Sequence, residues 1–70
     1  MESIHPGIYR HFKGNEYEVI GVAKHSETLE PMVVYRALYG DLGIWVRPAA
    51  MWTEYIERED YQGPRFSFIE

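Results

Sequence analysis

Seventy residues without a cysteine must form a stable fold without covalent cross-links. A chain of this length is one domain, and it buries only roughly 60% of its unfolded surface. Small domains usually compensate for a thin core with disulfides or a metal, but disulfides and thiolate metal sites are excluded here. Two Trp, six Tyr and three Phe supply large apolar rings instead. We expect a single domain over residues 1–70, with its core within about residues 7–69.

Short strand-like segments, separated by turn residues at close intervals, indicate a mostly-β fold. The predicted strands are residues 7–12, 16–23, 32–39, 44–47, 52–56 and 64–69, the last of them at an edge. The segment 32–39 is the most apolar, so we expect it at the centre with Val34 buried. A change of apolar parity beside Gly21 predicts a β-bulge, and Pro48 can open a short helical turn. The fold class is all-β, a small curved antiparallel sheet or barrel of about five strands.

Charge and composition limit the possible partners. The net charge is −4, whereas a domain that binds nucleic acid through phosphates is normally basic. The N-terminus lacks the basic and apolar regions of a signal peptide, and the apolar runs are too short to span a membrane. The absence of cysteine fits a reducing compartment. We expect a cytoplasmic protein whose partner is a small molecule or another protein, not a nucleic acid or a membrane.

Candidate ligands for a metal are few and poorly spaced. His5, His11 and His25 share no helical or strand face, and only Glu27 lies close to one of them. Structural zinc sites usually have four protein ligands and catalytic sites three, so we expect no metal and no other cofactor.

The serines offer no clear nucleophile either. Ser3 and Ser67 lie near the termini. Ser26 stands between His25 and Glu27, but adjacent side chains point in different directions, and the members of a catalytic triad meet through the fold. We expect Ser26 or Thr28 to cap a turn through its hydroxyl.

Two long stretches carry a family resemblance. The segments GIYRHFKGNEYEVIGVAKHSETLEPMVVYRALYG and WVRPAAMWTEYIE resemble the bacterial family known as domain of unknown function 1653. The resemblance covers about residues 7–69, and it implies a small SH3-like β-barrel. That family has no assigned activity, so no residue role transfers to this chain. Trp52 stands where we expect Phe, a difference that should matter only for packing.

Three charged residues lie among apolar neighbours in predicted strands. They are Arg36, Arg47 and Glu54. A buried charge needs a partner, because leaving it unpaired costs several kcal/mol. One interpretation is a structural ion pair between Glu54 and either arginine. The other is a pocket for an anionic or planar ligand, since guanidinium groups bind carboxylates and phosphates bidentately. The candidate ligand-binding residues are Tyr9, His11, Tyr35, Arg36, Trp45, Arg47 and Glu54.

The aromatic residues also have two interpretations. The rings of Tyr9, Tyr17, Tyr35, Tyr39 and Trp45 can complete a small core, or some of them can line a surface groove for an extended peptide.

Two functional hypotheses follow from these patterns. One is a non-catalytic binding module for a small ligand or a partner peptide. The alternative is a small enzyme that uses Arg36, Arg47, His11 and Glu54 on an anionic substrate. We favour the binding module, because no nucleophile, base with its orienting group, or metal set is evident. The candidate list therefore contains no catalytic residue.

Overall fold

A computed structural model describes residues 4–70 and contains seven strands and one short helix. The elements are β1 (Gly7–His11), β2 (Glu16–Lys24), β3 (Pro31–Ala37), β4 (Ile44–Pro48), α1 (Ala49–Trp52), β5 (Tyr55–Arg58), β6 (Tyr61–Pro64) and β7 (Phe66–Phe68). Five strands form an antiparallel sheet in the order β4-β3-β2-β1-β7, and β5 pairs with β6 in a separate hairpin. The fold class is confirmed as mostly β. Across residues 4–70 the two sheets do not close into one barrel.

The bulge predicted beside Gly21 is confirmed. In the pairing of β2 with β3, Val19 lies opposite Tyr35 and Gly21 lies opposite Val34, so Ile20 is the extra residue. Because side chains alternate between the two faces of a strand, one extra residue moves the following positions to the other face. This explains the change of parity in the apolar pattern of β2.

The core occupies one face of the five-stranded sheet. Its buried cluster consists of Tyr9, Val19, Val33, Tyr35, Trp52 and Phe66. Trp52 reaches the sheet from α1, which packs against β3 and β4, and its ring stacks on Phe66 with centroids 3.7 Å apart. Large rings therefore supply much of the buried area, as expected for a short chain without cysteine.

The prediction that Val34 is buried is wrong. Its neighbour Val33 is fully buried at 0% exposure, whereas Val34 is only half-buried. Val33, Tyr35 and Ala37 alternate onto the core face of β3, so Val34 faces the opposite side. A run of two valines gives no alternation from which to choose the inward one.

The C-terminal third differs most from expectation. Residues 57–63, which lie between the predicted strands 52–56 and 64–69, include the end of β5 and the start of β6. The turn between these strands consists of Glu59 and Asp60, and neither is a glycine or asparagine of the kind that marks a two-residue hairpin. Trp52 belongs to α1 rather than to a strand. Residues 4–70 therefore contain seven strands, five of them in the main sheet and two in the additional hairpin.

The helical turn after Pro48 is confirmed, and α1 has four residues. Within residues 4–70 no helix is long and apolar enough to cross a membrane.

Candidate functional site

The structure places five of the seven candidate residues on the core face of the main sheet. In the strand registers, His11 lies opposite Phe66, Tyr35 opposite Trp45, and Arg47 opposite Val33. Tyr9 is itself part of the core cluster. Cross-strand partners share a face, so these side chains point to the side occupied by α1.

Arg36 and Glu54 are separated from that group. Arg36 alternates onto the opposite face of β3, where its register partners are Glu18 and Ile44. Glu54 follows α1, and its Oε1 lies 2.7 Å from Nη2 of Arg65. The predicted pair of Glu54 with Arg36 or Arg47 is therefore wrong. The side chain of Glu54 is also 46% exposed, so the pair that does form lies at the surface.

Tyr9 serves mainly the core. Its hydroxyl donates a hydrogen bond to the carbonyl of His5 at 2.9 Å, and its ring meets Trp52 and Phe68 edge-on. Burial raises the pKa of Tyr9 above its usual value. A buried, hydrogen-bonded tyrosine of this kind contributes packing rather than an accessible ligand contact.

His11 and Arg47 both pack against the ring of Phe66. The His11 ring meets Phe66 edge-on at 5.0 Å, and the Arg47 guanidinium carbon lies 5.8 Å from the Phe66 centroid. Partial burial lowers the pKa of His11, and the positive charges of Arg65, Lys13 and Arg47 lower it further. The Nδ1 atom of His11 accepts a hydrogen bond from the Lys13 N–H at 3.1 Å. Both side chains are thus held by local packing.

A concave surface that we call the aromatic cleft opens beside β3 and β4. Its lining residues are Tyr17, Tyr35, Ala37, Tyr39, Gly40, Asp41 and Trp45, and its volume is about 190 Å³. The hydroxyls of Tyr17 and Tyr39 are hydrogen-bonded to each other at 2.9 Å. Tyr35 is buried, but Trp45 is 60% exposed and Tyr39 is 47% exposed. The cleft therefore joins a buried ring to accessible ones.

Two rings stand nearly perpendicular to the Tyr17 ring. The ring planes of Tyr17 and Tyr35 meet at 80° with centroids 5.5 Å apart, and those of Tyr17 and Tyr39 meet at 76° with centroids 5.6 Å apart. Burial, and to a smaller extent the hydrogen bond with Tyr39, raises the pKa of Tyr17 to about 12. Tyr17 is therefore uncharged at any physiological pH.

Gly43 lies next to both the Asp41 carboxylate and the Trp45 indole of the cleft. A Cβ atom on Gly43 would lie 3.3 Å from Nε1 of Trp45 and 3.4 Å from Oδ1 of Asp41. Both polar atoms therefore flank the same glycine, at the end of the turn between β3 and β4. A side chain at this position would crowd the Trp45 indole and contact the Asp41 carboxylate.

Sequence reasoning identified Tyr35 and Trp45 as candidate ligand-binding residues, and it named Tyr17 and Tyr39 only among the rings that can either fill the core or line a groove. It missed Asp41, and no local pattern shows that Tyr17 and Tyr39 meet. One sequence signal could have indicated the cleft. The chain has more aromatic residues than a core of this size can hold, so some of the rings must lie at the surface.

A second, wider cleft lies at the opposite edge of the sheet. Its volume is about 520 Å³, and it is lined by Arg10, His11, Phe12, Tyr61, Ser67, Phe68 and Ile69. Phe12 stacks on Tyr61 at 5.3 Å. The guanidinium of Arg10 is 2.8 Å from a carboxylate oxygen of Glu16, so its charge is already partnered.

The segment around His25 is a capped turn. Nδ1 of His25 accepts hydrogen bonds from the N–H groups of Glu27 and Thr28, and Oγ1 of Thr28 accepts one from the N–H of Glu30 at 3.2 Å. The predicted capping role is confirmed for Thr28. Ser3 lies outside the described residues. Within residues 4–70 no group of three or more His, Asp or Glu side chains could hold a metal ion.

These observations define a small antiparallel β domain with an aromatic cleft beside its β3–β4 turn. Residues 7–68 match the family model described as protein of unknown function (DUF1653), and the chain belongs to that family. It is also similar to the crystal structure of a family member from Bordetella bronchiseptica. The TM-score is 0.86 at 37% sequence identity, over 94% of this chain and 87% of that one. A search of curated proteins gave no match.

Proposed function

We propose that this domain is a non-catalytic binding module and that its ligand contacts the aromatic cleft. The observation that carries the proposal is the exposure of Trp45 and Tyr39, at 60% and 47%. The chain has two Trp, six Tyr and three Phe residues, more large rings than its small core buries. Rings that stay accessible in a concave surface are available to bind a partner, and Trp and Tyr contribute strongly when a partner covers them.

The core supports this interpretation because it is completed by other rings. Tyr9, Tyr35, Trp52 and Phe66 belong to the buried cluster, whereas Trp45 and Tyr39 do not. This division supports core filling as the role of the buried rings and a groove as the role of the exposed ones, with Tyr35 lying at the boundary between them.

The outer edge of β4 supports a peptide as one kind of ligand. β4 is the terminal strand of the main sheet, and Ile44 and Val46 are exposed on it. An extended peptide can hydrogen-bond to such an edge while one of its side chains enters a neighbouring pocket. The cleft includes Trp45 of the same strand, so one ligand could contact both features.

The enzyme alternative has less support. Arg36 and Arg47 lie on opposite faces of the main sheet, and Glu54 is paired with Arg65. General acid–base catalysis needs its groups within hydrogen-bond reach of one substrate.

For the location of the protein, we propose the cytoplasm, because the composition is free of cysteine.

The proposal is tested by NMR screening of the labelled domain against neutral, anionic and cationic small molecules and short peptides. The chain has two tryptophans, so its two indole N–H signals can be assigned from a Trp45→Phe variant. We expect ligands to shift the Trp45 indole signal and the amides of Tyr39 and Gly40. Ligands that shift only signals elsewhere would contradict the proposal.

A matched pair of variants sharpens the test. Trp45→Ala should weaken binding by at least about tenfold, the order expected for a central aromatic contact. Tyr55→Ala is the control, because Tyr55 is 61% exposed and does not line the cleft. Equal losses in both variants would show that the cleft has no special role.

A further inference from the structure

We propose that the aromatic cleft binds a quaternary ammonium group, a compact cation surrounded by methyl groups. This inference rests on the proposed function and names the class of ligand that the cleft accepts.

The charge of the cleft is the first reason. Asp41 is the acidic residue among its seven lining residues, and none of the seven is Lys, Arg or His. Tyr17 stays neutral because burial and its hydrogen bond raise its pKa to about 12. The face of an aromatic ring carries partial negative charge. The ring faces and the carboxylate therefore favour a cation and disfavour the anionic ligand considered from the sequence.

The arrangement of the rings is the second reason. A flat ligand is best held between parallel rings, but Tyr35 and Tyr39 both stand nearly perpendicular to Tyr17, at 80° and 76°. Walls that face in different directions suit a roughly spherical group. A quaternary ammonium has this shape, and its recognition by several aromatic faces is the established use of cation–π interactions in binding sites.

The third reason is the supply of hydrogen-bond acceptors. A primary ammonium entering the cleft needs a partner for each of its N–H donors. Besides the Asp41 carboxylate, the side-chain acceptors that line the cleft are neutral tyrosine hydroxyls, and those of Tyr17 and Tyr39 already share one hydrogen bond with each other at 2.9 Å. A quaternary ammonium has no N–H group to satisfy, so it loses less on leaving water.

The volume agrees with a single headgroup. About 190 Å³ equals roughly six water molecules at ~30 Å³ each, which accommodates a nitrogen with its methyl groups. Sites for drug-sized ligands are larger, from about 300 Å³ upward. The remainder of the ligand would then extend along the surface.

The test compares choline with 3,3-dimethylbutan-1-ol, which has the same shape but no charge. Binding is followed by the Trp45 indole signal, at ionic strength matched with sodium chloride. We expect choline and tetramethylammonium to shift the cleft signals, and the neutral alcohol to bind at least about fivefold more weakly. A trimethyl-lysine peptide, compared with its unmethylated form, distinguishes a protein-borne group from a free small molecule. Equal affinity for choline and the alcohol would overturn the inference.

Variants separate this inference from the proposed function. Asp41→Asn should weaken choline binding by about three- to tenfold without changing the weak binding of the alcohol. Asp60→Asn is the matched control, because it removes a surface carboxylate that lies outside the cleft. Gly43→Ala should also weaken binding, because its Cβ would lie 3.3 Å from Nε1 of Trp45 and displace that ring.

The melting temperature of each variant, measured without ligand, shows whether it is folded. Neutral or anionic compounds that bind the cleft while choline does not would refute the cation and leave the binding module intact. An absence of cleft shifts with every compound class and with both peptides would refute both proposals.

Discussion

Replacing Val33 with alanine should remove a large share of the stability of this domain. Val33 is fully buried, at 0% exposure, in the middle of the core face of β3. The substitution deletes two methyl-sized groups at about 0.8 kcal/mol each, and the cavity left behind adds to that loss. We expect a decrease of roughly 2–3 kcal/mol in the free energy of unfolding.

The size of this loss is large for so short a chain. At ~0.05–0.15 kcal/mol per residue, 70 residues give a total stability of about 3.5–10 kcal/mol. A loss of 2–3 kcal/mol corresponds to a decrease in melting temperature of roughly 10–20 °C for a domain of this size. The variant should therefore still fold at low temperature, where the loss can be measured.

Val34→Ala is the matched control, because it deletes the same atoms one residue away on the opposite, half-buried face. We expect it to lose less than about 1 kcal/mol. Urea unfolding, followed by circular dichroism, gives both values, provided that the dependence on urea concentration is the same in the two variants. A loss for Val34→Ala equal to or greater than that for Val33→Ala would refute the assignment of faces on β3.

The structure also predicts the stability effects of two other substitutions and the pH dependence of a third. Trp52→Phe should change the free energy of unfolding by less than about 1 kcal/mol in calorimetry. The smaller ring leaves a cavity, but it also removes an indole N–H that is buried without a hydrogen-bond partner among residues 4–70. A loss above about 3 kcal/mol would show that the lost packing far outweighs the removal of this N–H. Glu54→Gln should lower the free energy of unfolding, measured in urea, by less than about 1 kcal/mol, because the ion pair of Glu54 with Arg65 is exposed. A larger loss would indicate that the pair is buried. The pKa of Tyr17 is raised to about 12 in the folded state, so its contribution to stability is present below pH 10 and is lost as the pH rises toward 12. The difference in melting temperature between wild type and Tyr17→Phe should therefore be smaller above pH 10 than at pH 8. An unchanged difference would contradict the raised pKa.

Local features of the fold could be predicted because their causes are local. The bulge beside Gly21 is visible in the apolar pattern of β2, and the helical turn begins after Pro48 because proline suits that position. The hairpin of β5 and β6 was missed because no local sequence signal marks its turn. Its turn consists of Glu59 and Asp60, which are not typical hairpin residues.

The partners of charged and aromatic side chains depended on tertiary structure. Glu54 pairs with Arg65 rather than Arg36 because the chain returns to residue 54 through the second hairpin, where the Arg65 N–H also donates to the Glu54 carbonyl at 2.8 Å. Tyr17 and Tyr39 are separated by 22 residues and meet because β2 and β3 pair. No local pattern reports such a meeting, since it depends on the register between strands.

Tyr35 connects the two roles that aromatic side chains have in this domain. It belongs to the buried cluster, where its ring lies 5.0 Å from that of Trp52, and it also lines the aromatic cleft. The inner wall of the cleft is thus part of the buried core, whereas Trp45 and Tyr39 at its rim remain accessible. A site held in this way is largely organised before a ligand arrives, so less ordering is required on binding. Because a ligand that binds only the folded state stabilises it by mass action, occupancy of the cleft would stabilise the same small core from which it is built.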